Sequence, residues 1–296
     1  MILPKEILKK VKLLEVSTRK QVNNQLAGEY HTAFKGQGMA FSDFREYVPG
    51  DDVRNISWSL MAKTNKVFIK QFEEERELVL ILLVDVSGST DFGTGAYFKG
   101  EVLAHLSALL AFSAVKNNDR VGLVLFSDQI EHYVAPKKGR GQVLRILRDL
   151  YYLKPKSHTT NLAQAFEFLL GAQKKRATVF VMSDFLDQNY EQSLRQISRR
   201  HDVVACVVED PFETQPLSVG VIDVHDPETG EQMTIDTSSS AFKKAYQEER
   251  LKFAQQRSAL LKKAQVDQMI IPSNGDFADA LIQFMKRRSS GRRGPS

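Results

Sequence analysis

The chain has 296 residues, 42% of them hydrophobic, 26% charged and 9% aromatic, which is enough for one large α/β domain with a smaller appendage and argues against wholesale disorder. The net charge of +5 comes from the last eleven residues, 286–296, which hold five Lys or Arg and no acid, so residues 1–285 are neutral overall and no basic groove is implied. The longest apolar run, residues 78–84, is far short of the roughly twenty residues that span a bilayer, and the N-terminus mixes Lys5, Glu6, Lys9 and Lys10 with its apolar residues, unlike a secretory leader.

In chain order, apolar positions at Ile7, Leu8, Val11, Leu14 and Val16 predict a short amphipathic helix over 4–16. From residue 28 to 52 the glycines and Pro49 punctuate a stretch with little apolar periodicity, so loops and irregular backbone are expected. Residues 67–72 alternate weakly, as a strand. The rhythm then becomes regular. Residues 78–84 form a continuous aliphatic run, the pattern of a strand covered on both faces. A helix is expected over 97–115, strands over 121–126 and 130–134, helices over 142–150 and 162–170, a strand over 178–182, a helix over 190–198 and a strand over 203–208. Residues 219–224 and 232–237 flank Pro227-Glu228-Thr229-Gly230 as a hairpin inserted before a long charged helix at about 240–264. A last strand at 269–271 and a helix over 277–286 precede a basic, disordered tail, 287–296.

Strands alternating with helices imply an α/β fold, a doubly wound and mostly parallel sheet. Its expected divisions are an N-terminal segment, 1–76, the sheet domain, 77–286, and the tail. The single cysteine, Cys206, lies in an apolar run and reads as a buried strand thiol in a reducing compartment, so a cytoplasmic location is expected.

The first aliphatic strand runs into Asp85-Val86-Ser87-Gly88-Ser89. Ligands of open α/β sheets collect outside the carboxyl ends of the strands, and one carboxylate with two hydroxyls at alternate positions on such a loop supplies hard oxygens suited to Mg²⁺ and poorly suited to Zn²⁺. Thr159-Thr160-Asn161 begins a helix, where a threonine hydroxyl can cap the helix or reach an ion, and Asp184 ends the strand at 178–182.

Three such clusters in this order resemble the metal-ion-dependent adhesion site of von Willebrand factor A domains. The resemblance implies Asp85, Ser87, Ser89 and Thr160 close to one Mg²⁺ or Mn²⁺ ion per chain, with Asp184 as the second carboxylate, direct or through water. Phe185 and His158 stand where such domains often carry glycine. Upstream, Phe44-Arg45-Glu46-Tyr47-Val48-Pro49-Gly50-Asp51-Asp52-Val53-Arg54-Asn55-Ile56-Ser57-Trp58, with Ala62-Lys63 and the acidic stretch from Lys70 to Arg76, resembles the bacterial domain-of-unknown-function family fifty-eight, in which it precedes a von Willebrand A domain. Here Arg45, Arg54 and the neighbouring acids are expected either to form one buried polar network or to bind a partner, and Trp58 to act as a packing anchor.

The resemblance further implies a non-enzymatic interaction module whose partner donates an Asp or Glu to the ion, with a MoxR-type AAA+ ATPase as the expected associate. Two other classes compete. Asp85 to Thr90 resembles the Asp-x-Asp-Gly-Thr nucleophile loop of haloacid-dehalogenase-type phosphatases, but Ser87 replaces the general acid. A nucleic-acid role would rest on the basic tail alone. No Gly-x-Ser-x-Gly, His-Glu-x-x-His or Walker A string occurs, so serine-hydrolase, zinc-hydrolase and P-loop chemistry have no support.

Overall fold

A computed structural model describes residues 15, 18, 22, 24–34, 39–74, 77–91, 93, 97–214, 218–225, 232–274 and 277–291. The chain forms two compact units, residues 34–78 and residues 1–33 together with 79–296. The helix expected over 4–16 lies outside the described residues except for Glu15.

The larger unit contains α1 (Asn24–Phe34), all but its last residue. A six-stranded sheet follows, built from β3 (Val79–Asp85), β4 (Arg120–Phe126), β5 (Ile130–Lys137), β6 (Thr178–Ser183), β7 (Asp202–Glu209) and β10 (Asp267–Pro272). Its spatial order is β10-β7-β6-β3-β4-β5. All neighbours are parallel except β5, which runs antiparallel to β4 at one edge. Strand order reverses between β3 and β6, which makes the gap above their carboxyl ends the topological switch point.

The aliphatic runs have no period of two because both faces are covered. Ile81, Leu83, Val179, Val181 and Val207 share one core with α5 (Leu162–Ala172), α6 (Glu191–Arg200) and α8 (Ser240–Lys263). The intervening residues Leu80, Leu82, Phe180 and Cys206 are also buried. On that other side α3 (Lys99–Lys116) touches β3, β4 and β7, and Ser107 Oγ donates to the Met182 sulfur at 3.4 Å. Helix α4 (Arg140–Tyr152) packs on α3 and β4. Burial pushes the Cys206 thiol well above its usual range, as expected of an inert strand cysteine.

Between β7 and α8 the chain inserts α7 (Pro211–Thr214) and the antiparallel pair β8 (Val221–His225) and β9 (Gln232–Asp236). The hairpin is where the sequence places it, and its turn lies outside the described residues. The terminal helix α9 (Phe277–Gly291) runs five residues past the expected stop at 286. The Arg288 side chain is only 7% exposed there and pairs with Asp202 and Asp267, so the segment from 287 to 291 is docked helix and not disordered tail.

The smaller unit contains β1 (Met39–Glu46) paired antiparallel with β2 (Phe68–Glu74), and α2 (Trp58–Thr64) between them. Pro49-Gly50 makes the turn, with Gly50 at φ 110°, and Asp52 caps a short 3₁₀ turn at Val53–Asn55 by accepting the Arg54 N–H at 3.0 Å. The stretch read as irregular, 28–52, thus holds most of α1 and all of β1. Two further expectations are corrected. Trp58 is 66% exposed, so it anchors no packing within this unit. Arg45 and Arg54 form two separate, solvent-facing pairs with Asp51 and Asp52 and no single buried network. The arginines hold both carboxyls below their usual range.

Candidate metal centre

The Asp85 carboxylate stands at the switch point because β3 ends there. Its backbone still follows the ladder, with the Val86 N–H donating to Phe126 O at 2.9 Å, before a 3₁₀ turn at Gly88–Asp91 doubles the chain back. The tight turn brings the Ser87 and Ser89 hydroxyls within 3.1 Å of each other. Asp85, Ser87 and Ser89 are all buried. Asp85 Oδ1 accepts the Ser87 N–H at 2.9 Å, and Oδ2 accepts the Ser183 hydroxyl at 2.7 Å from the neighbouring strand β6.

Asp184 follows β6 directly and is buried. Its Oδ1 accepts the Leu186 N–H at 3.2 Å, and its carbonyl accepts from Arg257 Nη1 at 3.4 Å. Burial first, then repulsion from Asp184, pushes the Asp85 carboxyl up to about 6, against the hydrogen bonds from Ser87 and Ser183. A buried Asp85 carboxylate whose charged form is disfavoured by burial and by a neighbouring acid, among hydroxyl oxygens, is relieved by a cation.

The loop carrying Thr160 is fixed against this turn. The Gly88 N–H donates to His158 O at 2.9 Å, and the Asn161 N–H donates to Ser127 O, beyond β4, at 3.0 Å. The cap of α5 is Asn161, whose Oδ1 accepts the Gln164 N–H at 2.9 Å, so neither Thr159 nor Thr160 has that role. Five residues chosen from sequence therefore lie on three loops that meet at one end of the sheet. Asp85 contacts Ser87 and Ser87 contacts Ser89, Asp184 acts on Asp85 electrostatically, and Thr160 is placed through its loop.

The donors fit a hard divalent ion. All are oxygens, and a carboxylate oxygen has lone-pair capacity beyond one hydrogen bond. Among the described residues no group of three or more His, Cys, Asp or Glu converges to hold a metal, so the set is two acids with hydroxyls, a composition that leaves places for water and suits Mg²⁺ or Mn²⁺. A cavity of about 480 Å³ opens beside Asp85, lined by Thr90, Phe98, Glu101, Tyr151 and Pro155 among others.

Sequence reasoning missed Ser183, Lys99, Glu213 and Arg257. Lys99 is buried at the first position of α3, with Nζ 3.4 Å from Asp184 Oδ2 and 2.6 Å from Glu213 Oε1. One signal was present: a lysine opening a helix faces the positive end of the helix dipole, which asks for a compensating acid.

Residues 43–257 match the family described as "Protein of unknown function DUF58". Uncharacterized proteins of Mycobacterium tuberculosis (Rv1480) and Mycobacterium bovis (Mb1516) are each 30% identical over 223 residues, covering 74% of this chain and 70% of theirs. Among solved structures, the conserved hypothetical protein BatB of Bacteroides thetaiotaomicron aligns with TM-score 0.47 at 11% identity, over 72% of this chain and 99% of that one. The SpRpn10 VWA domain aligns with TM-score 0.38 at 13% identity, over 70% and 94%. The fold assignment rests on the sheet order and strand directions themselves.

Proposed function

The chain belongs to the DUF58 family, and on that premise we propose that it is a non-enzymatic protein-interaction module that grips its partner through one Mg²⁺ or Mn²⁺ ion at the end of β3. The observation that carries this reading is the buried, oxygen-only cluster of Asp85, Ser87 and Ser89 at the switch point, faced by Asp184. When bound, the ion supplies an electrophilic position at which an incoming Asp or Glu of a partner completes the coordination.

The chain's own residues do the rest. Asp85 provides the charge, and the hydrogen bonds from Ser87 N–H and the Ser183 hydroxyl hold its carboxylate in one orientation. Ser87 and Ser89 present hydroxyls, Thr160 comes from the third loop, and Asp184 balances charge. Binding to the partner depends on the ion, and by linkage the partner tightens the ion. Among the described residues no helix is long and apolar enough to cross a membrane. A MoxR-type AAA+ ATPase in the cytoplasm is the partner we propose, on the strength of the family resemblance.

Thermal melts of wild type and Asp85→Ala, each with EDTA and with excess Mg²⁺, test the reading. A Mg²⁺-dependent rise in wild type that vanishes in the variant is expected, with Asp85→Ala folded and no less stable than wild type in EDTA, because Asp184 loses a repelling neighbour. An equal rise in both proteins, or none in wild type, refutes it.

A further inference from the structure

Lys99 is in a place that two effects disfavour. Its side chain is 3% exposed, and its ammonium sits at the positive end of the α3 dipole. Two carboxylates from distant parts of the chain offset this. Asp184 comes from the end of β6, and Glu213 from α7, at the start of the insertion between β7 and α8. Glu213 is itself braced, since its Oε2 accepts the Asp210 N–H at 3.0 Å and lies 3.6 Å from Arg250 Nη2. The ammonium is closer to Glu213, at 2.6 Å, than to Asp184, at 3.4 Å. Asp184 is thus a carboxylate with two claimants, the ammonium already beside it and any ion held by Asp85.

Resting on the metal-binding reading above, we infer that Lys99 is a resident counter-cation, shared between Asp184 and Glu213, whose competition for Asp184 makes the hold on a divalent ion depend on the α7 segment. When Glu213 keeps the ammonium, Asp184 gives more of its charge to the ion. When Glu213 is neutral or displaced, the ammonium turns to Asp184 and the ion is held less strongly. The insertion that carries Glu213 thereby reports to the metal centre through one side chain, and Lys99 is a positioning residue for the partner-binding site. The sign of each charge change follows from Coulomb's law at a buried site, where screening is weak.

Mn²⁺ binding to the full chain, followed by water-proton relaxation with circular dichroism as the check on folding, tests this. Lys99→Met is expected to bind Mn²⁺ on the order of tenfold more tightly than wild type, and Glu213→Gln on the order of threefold more weakly. In the double variant the Glu213→Gln effect disappears, because its route runs through the ammonium. Lys99→Met binding no more tightly than wild type overturns the inference. So does a Glu213→Gln effect of equal size in both backgrounds, which would mean two independent charges adding. Should Lys99→Met fail to fold, the cycle is run with Asp184→Asn, where Glu213→Gln is expected to have no effect and an undiminished effect overturns the inference. Absence of Mn²⁺ binding in wild type is a different result and defeats the metal-binding reading itself.

Discussion

Phe185, one residue past Asp184, has φ 60°, the left-handed region that a bulky side chain enters at a cost of about 1–2 kcal/mol. It stays there because its ring is fully buried and lies against Tyr190, with centroids 6.1 Å apart. Removing a buried Phe ring typically costs about 3–5 kcal/mol, so packing outweighs strain. Phe185→Gly should therefore lower stability by about 2–3 kcal/mol in urea unfolding while keeping its response to Mg²⁺. A more stable variant would show that strain dominates. His201 poses the opposite kind of problem. Its ring is buried, Nδ1 accepts the Ala177 N–H at 3.2 Å, and Nε2 has no hydrogen-bond partner, which assigns the proton to Nε2. Burial, then the nearby Arg200 and Arg176 cations, lowers its pKa to about 4. The unfolded chain, with a histidine near 6.5, binds a proton that the folded chain refuses. This contribution to stability is complete above pH 6.5 and is lost as pH falls toward 4, by about 3 kcal/mol in all. Urea midpoints measured from pH 7 to 4 should fall steeply in wild type and flatten in His201→Gln. Parallel slopes would exclude His201 as the source.

At the scale of elements, α9 shows how a polar sequence becomes structure. Residues 287–291 offer no apolar side chain, yet Arg288 reaches the first residues of both β7 and β10, pairing with Asp202 and Asp267 at a side-chain exposure of 7%. Ending the chain at Arg287 should cost about 1–3 kcal/mol relative to ending it at Gly291, since two carboxylates lose a largely buried partner. Equal melting temperatures for the two truncations would show the pairs to be idle. The same element explains what was legible in the sequence. Strands β3, β4, β6 and β7 could be read from continuous aliphatic runs because burial on both faces writes itself into composition. The end of α9 could not, because its reason is a pairing across 86 residues of sequence. Helix α1 and strand β1 were hidden differently. Gly28 interrupts the α1 pattern, and a bulge between Phe41 and Asp43 breaks the alternation of β1. The candidate metal centre divides along the same line. Asp85, Ser87 and Ser89 lie on one loop and show as a motif, whereas Ser183, Lys99 and Glu213 reach the centre only through the topology.

For the whole molecule, the sheet order puts the Asp85 cluster, the proposed ion site, where the most deeply buried strands end. Strands β3 and β6 are internal, paired on both sides, with every residue of β6 and all but the first of β3 buried. Their amides can exchange with solvent only when the whole sheet opens. The unit of residues 34–78 has a different composition of contacts. Among its residues from 43 to 70, Ile69 is the one buried apolar side chain, while Phe44, Val48, Val53 and Trp58 are exposed. A two-stranded sheet is marginal on its own, so β1 and β2 should open at a small fraction of the global free energy. Native-state hydrogen exchange measures both. In EDTA the β3 and β6 amides should report the global unfolding energy, with those of β1 and β2 several kcal/mol below it. Adding Mg²⁺ to ten times its dissociation constant should raise protection in β3 and β6 by about 1.4 kcal/mol, since an ion that binds the folded state alone stabilises it by RT ln(1 + [L]/Kd). The gain should be uniform along both strands because a ligand at one end of a cooperative sheet shifts the global equilibrium. A gain confined to the amides next to Asp85 and Asp184 would mean that the ion orders only the loops, and the site would then be an appendage to the sheet and not part of its folding unit.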